Sequence, residues 1–212
     1  MTVHTGEPVG TAGPALGEGT AAMIMVHGRG ASAPSILELA RVFGHPGVSY
    51  LAPSAANHTW SPNSFMAPQD ANEPHLSSAL DLLARMLDQV VSAGIPRERT
   101  FILGFSQGAC LASEFVMRNP GRYGGLIAYS GGLIGPEGST WDPVGEMEGT
   151  PVFLGCSDVD AHIPVSRVHE TEEVFQAMGA QVEKRIYPGM GHLVNRDEIA
   201  YTQELLSSVP AS

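Results

Sequence analysis

Apolar residues in this chain gather in short unbroken runs that alternate with stretches where they recur every three or four positions. Residues 21–26 (AAMIMV) form one such run, stopped at His27-Gly28-Arg29-Gly30. A short apolar run ended by glycines predicts a strand buried on both faces, the kind a parallel sheet contains. From Ser35 onward the spacing turns helical, with Ile36, Leu37, Leu39, Ala40 and Phe43 on one face. Residues 48–52 predict a second strand, closed by Pro53. The loop of about twenty residues that follows, 53–74, carries Trp60, Phe65 and Met66, and loops of that length are often functional.

The strongest helical signal covers 75–91, where Leu76, Ala79, Leu80, Leu83, Met86, Leu87 and Val90 trace one stripe before Gly94 and Pro96 end it. Beyond it the pattern predicts strands at 100–105, 125–129, 152–155 and 182–187, and helices at 107–117, 165–178 and 198–206. The first twenty residues, rich in Gly, Pro and Thr, predict a short edge strand around 2–4 or a loose arm. Strands alternating with helices imply right-handed βαβ units, a mostly parallel sheet and helices on both faces. Ligands of such sheets sit at the carboxyl ends of the strands, so chemistry is expected directly after a strand.

Composition narrows the function classes. At 212 residues and 43% hydrophobic, the chain can bury one sizeable core, and residues 1–212 are read as a single domain. Eleven Lys and Arg against 22 Asp and Glu give a net charge of -11. An acidic surface repels phosphate backbones and anionic leaflets, which argues against nucleic acid and membrane partners. The two cysteines, Cys110 and Cys156, make no disulfide framework. The start lacks a basic, apolar leader and no stretch is long enough for a membrane span. A cytoplasmic protein is therefore expected, with a homodimer left open.

Candidate chemistry centres on Gly104-Phe105-Ser106-Gln107-Gly108. A chain with this content of Gly and Ser would carry G-x-S-x-G by chance roughly one time in four, so the motif alone is weak. Its setting strengthens it: Phe101-Ile102-Leu103 leads in as a strand and the run from Ala109 leads out as a helix. A serine on that sharp turn needs neighbours without side chains, which Gly104 and Gly108 supply. The helix N-terminus then offers free N–H groups to a developing oxyanion.

A serine hydroxyl needs a base to take its proton and a carboxylate to orient the imidazole. His192, in Pro188-Gly189-Met190-Gly191-His192 after the last strand, is the candidate base. The acid follows the strand at 152–155, where Asp158 and Asp160 compete and position alone does not choose. His162 and His169 beside these aspartates match no zinc spacing, so no metal is expected. His27-Gly28-Arg29-Gly30 supplies the upstream oxyanion loop. The backbone amides of Arg29 and Gln107 are the candidate donors, with His27 bracing the loop rather than performing chemistry.

Taken together, VHGRG, GFSQGA, the DAHIP segment and YPGMGH resemble the phospholipase/carboxylesterase family of α/β-hydrolases, which includes bacterial carboxylesterases and acyl-protein thioesterases. The resemblance covers residues 23–206. It implies an α/β-hydrolase fold without a large lid domain, Ser106 as nucleophile, His192 as base, and oxyanion donors at Arg29 and Gln107. The family's acid precedes an apolar residue and a proline, as Asp160 does in Asp160-Ala161-His162-Ile163-Pro164, which favours Asp160. One departure is that the glycine usually found three residues before the acid stands three before Asp158, at Gly155. A related branch, the dienelactone hydrolases, carries a nucleophilic cysteine where this chain has Ser106, and Cys110 one helical turn on is expected to pack inward.

The resemblance implies hydrolysis of a small-molecule carboxylic ester, or of a thioester or lysophospholipid, with no cofactor. Without a large lid, an open cleft taking small to medium acyl chains is expected. Trp60, Phe65 and Met66 in one long loop, and Leu133, Ile134 and Trp141 in the other, are the candidate pocket walls. The contrasting reading is a non-catalytic binding protein on the same fold.

Overall fold

The strands with the longest apolar runs occupy the middle of the sheet, where both faces must be covered. In the computed structural model, which describes residues 3–211, seven strands form one sheet in the order β1-β3-β2-β4-β5-β6-β7. They are β1 (Val9–Ala12), β2 (Ala21–Val26), β3 (Val48–Pro53), β4 (Thr100–Phe105), β5 (Gly125–Tyr129), β6 (Pro151–Ser157) and β7 (Gln181–Tyr187). All neighbours pair in parallel except β1 with β3. Every residue of β2, β3 and β5 is buried, which is why these segments read as continuous apolar runs rather than alternating ones.

Five helices cover the two faces: α1 (Ala33–Phe43), α2 (His75–Ser92), α3 (Gln107–Arg118), α4 (Val165–Ala177) and α5 (Arg196–Leu206). Ile24, Ile102 and Leu126 pack on one side with Leu83 and Met86 of α2, Phe115 of α3 and Phe175 of α4. Met23, Leu103 and Ile127 pack on the other with Ile36 and Phe43 of α1 and Leu206 of α5. This is the mostly parallel, helix-flanked sheet that the alternating pattern predicts and the α/β-hydrolase architecture that the resemblance implies, with no large extra domain among the described residues.

The differences from the expected elements are local. The edge strand forms at Val9–Ala12, where four residues pair antiparallel with β3 from Val9 opposite Pro53 to Ala12 opposite Tyr50. Of the segment expected to carry it, Thr2 lies outside the described residues. Val3 and His4 are turned into a bend and tied by their amides to Ser78 Oγ at 2.8 and 2.9 Å. Helix α5 starts two residues earlier than expected because Asn195 accepts from the amides of Asp197 and Glu198 while Glu198 reaches back to the Asn195 amide, a capping box. Among the described residues, no helix is long and apolar enough to cross a membrane.

Candidate active site

The turn between β4 and α3 is built by the absence of two side chains. A Cβ on Gly104 would lie 2.2 Å from the Gly108 carbonyl oxygen, and one on Gly108 would lie 2.1 Å from the Val26 carbonyl oxygen. Neither contact is sterically tolerable, so only glycine lets the strand, the turn and the neighbouring β2 approach this closely. Ser106 between them takes φ 56°, ψ -123°, a conformation that costs a non-glycine residue of order 1–3 kcal/mol and persists only where surroundings enforce it. Here the Ser106 amide donates to Tyr129 O at 2.9 Å and its carbonyl accepts from Cys110 N at 3.0 Å. The turn thereby projects Oγ above the carboxyl edge of the sheet.

Three loops meet at that hydroxyl. His192 Nε2 lies 2.8 Å from Ser106 Oγ, and His192 Nδ1 lies 2.7 Å from Asp160 Oδ2. An ionised carboxylate only accepts, so Nδ1 carries the proton and Nε2 is left to accept from the serine hydroxyl. The imidazole packs against the ring of Phe105, tilted 35° at 5.0 Å between centroids, and meets the ring of His162 edge-on at 4.7 Å.

Asp160 has a fully buried side chain. Burial alone would raise its carboxyl, but hydrogen bonds from His192 and from the amides of His162 (2.8 Å) and Ile163 (3.0 Å) outweigh it and hold the group below the usual carboxylate range. Asp158, the other aspartate after β6, points elsewhere and accepts from Gly189 N at 2.8 Å. Ser157 Oγ likewise accepts from Gly191 N at 3.0 Å. These two bonds stitch the loop that carries the carboxylate to the loop that carries the imidazole. Gly155, which under the family's usual spacing favoured Asp158, has another reason to be glycine: a Cβ there would meet Glu198 Oε1 at 2.2 Å.

The loop after β2 lies directly against the nucleophile, since a Cβ on Gly28 would come 3.3 Å from that of Ser106. Gly28 O accepts from Ala31 N at 3.1 Å and lies 2.8 Å from His27 Nδ1. Among the described residues nothing accepts from the Arg29 amide, and the Gln107 amide, at the first turn of α3, has no intrahelical acceptor. Both residues line the same cavity as Ser106. The Arg29 guanidinium is turned aside onto the carbonyls of Pro62 (3.2 Å) and Asn63 (2.6 Å).

That cavity, of about 520 Å³, is lined by Phe65, Phe105, Ile163, Asn63, Arg29 and His162 among others. Of the six apolar residues expected to form its walls, Phe65 alone lines it. Trp60, Leu133 and Ile134 are buried in the core, and Met66 and Trp141 pack against it. Arg167 draws the second loop inward: its buried guanidinium donates to the carbonyls of Leu133, Gly135 and Pro136 at 2.8 to 3.0 Å and lies 4.9 Å from the Trp141 ring centre. Trp60 is drawn in by its indole N–H, which donates to His27 O at 2.8 Å.

Two features escape a reading of the sequence. The side chain of Gln107, considered only for its amide, makes four bonds to the 59–61 segment: Oε1 accepts from Thr59 Oγ1 and Trp60 N, and Nε2 donates to Ser61 O and Oγ. Ile163 and His162, beside the carboxylate, also reach the cavity; the Ile-Pro pair after Asp160 is the only local signal. Cys110 is buried against the core, where desolvation pushes its thiol up to about 12. Among the described residues no group of three or more His, Cys, Asp or Glu is placed to hold a metal.

Comparison with known proteins bears on this arrangement. The family model described as Phospholipase/Carboxylesterase matches residues 15–209. A crystal structure of a phospholipase/carboxylesterase from Dyadobacter fermentans superposes with a TM-score of 0.92 at 40% identity, covering 97% of this chain and 99% of that one. A probable carboxylesterase of Oryza sativa subsp. japonica is 27% identical over 196 residues, 84% of this chain and 73% of that protein. Acyl-protein thioesterase 1 of Eremothecium gossypii is 29% identical over 147 residues, 62% of this chain, and the match spans little more than half of the thioesterase, 57%.

Proposed function

The chain belongs to the phospholipase/carboxylesterase family of α/β-hydrolases and is an esterase-type hydrolase; from that premise we propose that it cleaves carboxylic esters of small to medium acyl chains through Ser106, His192 and Asp160 and a covalent acyl-enzyme. The observation that carries the proposal is the continuous relay from Asp160 Oδ2 through His192 to Ser106 Oγ, with both contacts below 2.9 Å. Nucleophile, base and orienting acid within hydrogen-bond reach are what acyl transfer by a serine requires.

In the proposed cycle Ser106 Oγ attacks the ester carbonyl as its proton passes to His192 Nε2. Asp160 stabilises the resulting imidazolium. The oxyanion is held by the amides of Arg29 and Gln107, and a donor of that kind lowers the barrier by roughly 2.7–4 kcal/mol. Collapse expels the alcohol, which takes the proton from His192. Water then attacks the acyl-enzyme with His192 as base, releasing the acid and restoring the serine.

A cavity bounded by Phe65, Phe105 and Ile163 on its apolar side and by Arg29, Asn63 and Ser64 on its polar side supports a short or medium acyl group rather than a long lipid tail. Thioesters are the second reading, favoured by the likeness to acyl-protein thioesterase. Residues 1–212 act as one hydrolase domain in this account. A panel of p-nitrophenyl esters from acetate to palmitate tests it, with the corresponding thioesters alongside. The expected kcat/KM peaks between acetate and octanoate; a maximum at palmitate refutes the chain-length reading, and a thioester preference favours the second.

A further inference from the structure

Two buried histidines behind the oxyanion loop accept from consecutive backbone amides. His27 Nε2 accepts from Ala55 N at 3.1 Å and His4 Nδ1 accepts from Ala56 N at 3.1 Å. A backbone N–H always donates, so each of those ring nitrogens is unprotonated. Each ring therefore carries its one proton on the other nitrogen. His27 Nδ1–H donates to Gly28 O (2.8 Å), and His4 Nε2–H donates to Trp60 O (3.1 Å). The two rings are neutral and of opposite tautomer. Burial pushes both below the ordinary histidine value, with His75 and Glu7 facing His4 and His58 facing His27.

Trp60 joins them. Its indole N–H donates to His27 O at 2.8 Å, its amide donates to Gln107 Oε1 at 3.0 Å, and its ring lies 5.4 Å from His4 and 4.9 Å from His27. In a trans peptide the carbonyl and the following N–H point in opposite directions. Fixing Gly28 O against the His27 ring therefore turns the Arg29 N–H the other way, toward the cavity that Arg29 lines with Ser106. The chain of contacts reaches back to the N-terminal segment, because the amides of Val3 and His4 are held by Ser78 Oγ of α2.

We propose that His4 is a positioning residue of the active site: through Trp60 and His27 it fixes the orientation of the Gly28–Arg29 peptide, so that the N-terminal segment, remote in sequence from every reacting group, sets the oxyanion hole. This rests on the reading of the Arg29 amide as an oxyanion donor. Misaiming such a donor weakens transition-state stabilisation and leaves substrate binding alone, so the effect falls on kcat and not on KM. A role confined to folding lowers the melting temperature without changing kcat of the folded protein.

Two measurements on the full chain test it. Long-range 1H–15N correlation spectra at pH 7 are expected to show His27 protonated at Nδ1 and His4 at Nε2; the same tautomer for both, or an imidazolium for either, overturns the proposal. In kinetics on p-nitrophenyl butyrate, His4→Phe keeps a ring and removes both polar atoms. It is expected to lower kcat about tenfold with KM within about twofold, as for loss of donor alignment. His4→Asn, whose Oδ1 can accept from Ala56 N, is expected to recover part of that loss. Folded His4→Phe with unchanged kcat, or with a change confined to KM, overturns the proposal. Should His4→Phe not fold, Trp60→Phe removes the donor to His27 O along with part of the buried ring, and unchanged kcat there overturns it equally. Fluorophosphonate labelling of wild-type Ser106 separates the two levels: absence of labelling refutes the hydrolase reading, whereas normal labelling with unaffected variants refutes the positioning role alone.

Discussion

Asp160 Oδ2 lies 2.7 Å from His192 Nδ1, whereas Asp158, two residues earlier, gives its Oδ1 to the Gly189 amide. The two carboxylates thus divide the work of one loop, one facing the imidazole and the other fixing the loop that carries it. Asp160→Asn is expected to lower kcat by about 10⁴, because an amide can present its NH₂ to Nδ1 and favour the wrong tautomer. Asp158→Asn keeps an acceptor for Gly189 and is expected to stay within a few-fold of wild type. Steady-state kinetics on one short-chain ester checks both, and a larger loss for Asp158→Asn reverses the assignment.

The turn at the nucleophile makes a prediction about folding. Ala at Gly104 or Gly108 would put a methyl carbon 2.2 or 2.1 Å from a backbone oxygen. No flexible side chain can yield there, so strands β2 and β4 and helix α3 must move apart. Each variant is expected to lose roughly 3 kcal/mol or more, or to fail to fold, since overpacking and strained backbone add. Urea denaturation measures this. Gly30→Ala, which meets no atom within 4 Å but has φ 74°, is expected to cost less, about 1–2 kcal/mol from the left-handed backbone alone.

Glu198 carries a pH dependence of stability. It is buried, one carboxylate oxygen has no hydrogen-bond partner among the described residues, and desolvation raises its pKa to about 7. Between the unfolded value near 4.5 and about 7 the folded state binds the proton and the unfolded state does not, so stability falls as pH rises through this window. The full effect is of order 3 kcal/mol. Glu198→Gln removes the titration and is expected to flatten this slope in urea midpoints measured from pH 4.5 to 8. An unchanged slope contradicts the assignment.

Phe65 is the one expected wall residue that faces the cavity. Phe65→Ala is expected to shift preference toward longer acyl chains, with the octanoate-to-butyrate ratio of kcat/KM rising roughly tenfold, the scale on which a pocket discriminates methylenes. No change in the ratio places the acyl group elsewhere.

The elements that the chain states most clearly are those whose pattern and environment agree. β2, β4 and β5 form at the expected residues because strands buried on both faces must be uniformly apolar. Of the residues brought together at the site, Ser106 and His192 were legible as motifs at strand ends, whereas the strand end left Asp158 and Asp160 open and only the family resemblance favoured Asp160. Less legible were features fixed by polar contacts between distant segments. Nothing local distinguishes Trp60 as a core residue, since its burial depends on the His27 carbonyl, nor Leu133 and Ile134, since Arg167 lies some thirty residues away. The edge strand at Val9–Ala12 has a weakly apolar, half-exposed sequence, and its position follows from pairing with β3 rather than from its own pattern.

The central claim is that Ser106 is an activated nucleophile, and covalent capture addresses it without knowledge of the natural ester. Folded protein treated with a fluorophosphonate is expected to gain one adduct mass per chain, mapped to the peptide containing Ser106. Ser106→Ala is expected to abolish the adduct, and His192→Ala to slow its formation by orders of magnitude while the fold is retained. Folded wild-type protein that stays unlabelled, or that carries the adduct on another residue, contradicts the account.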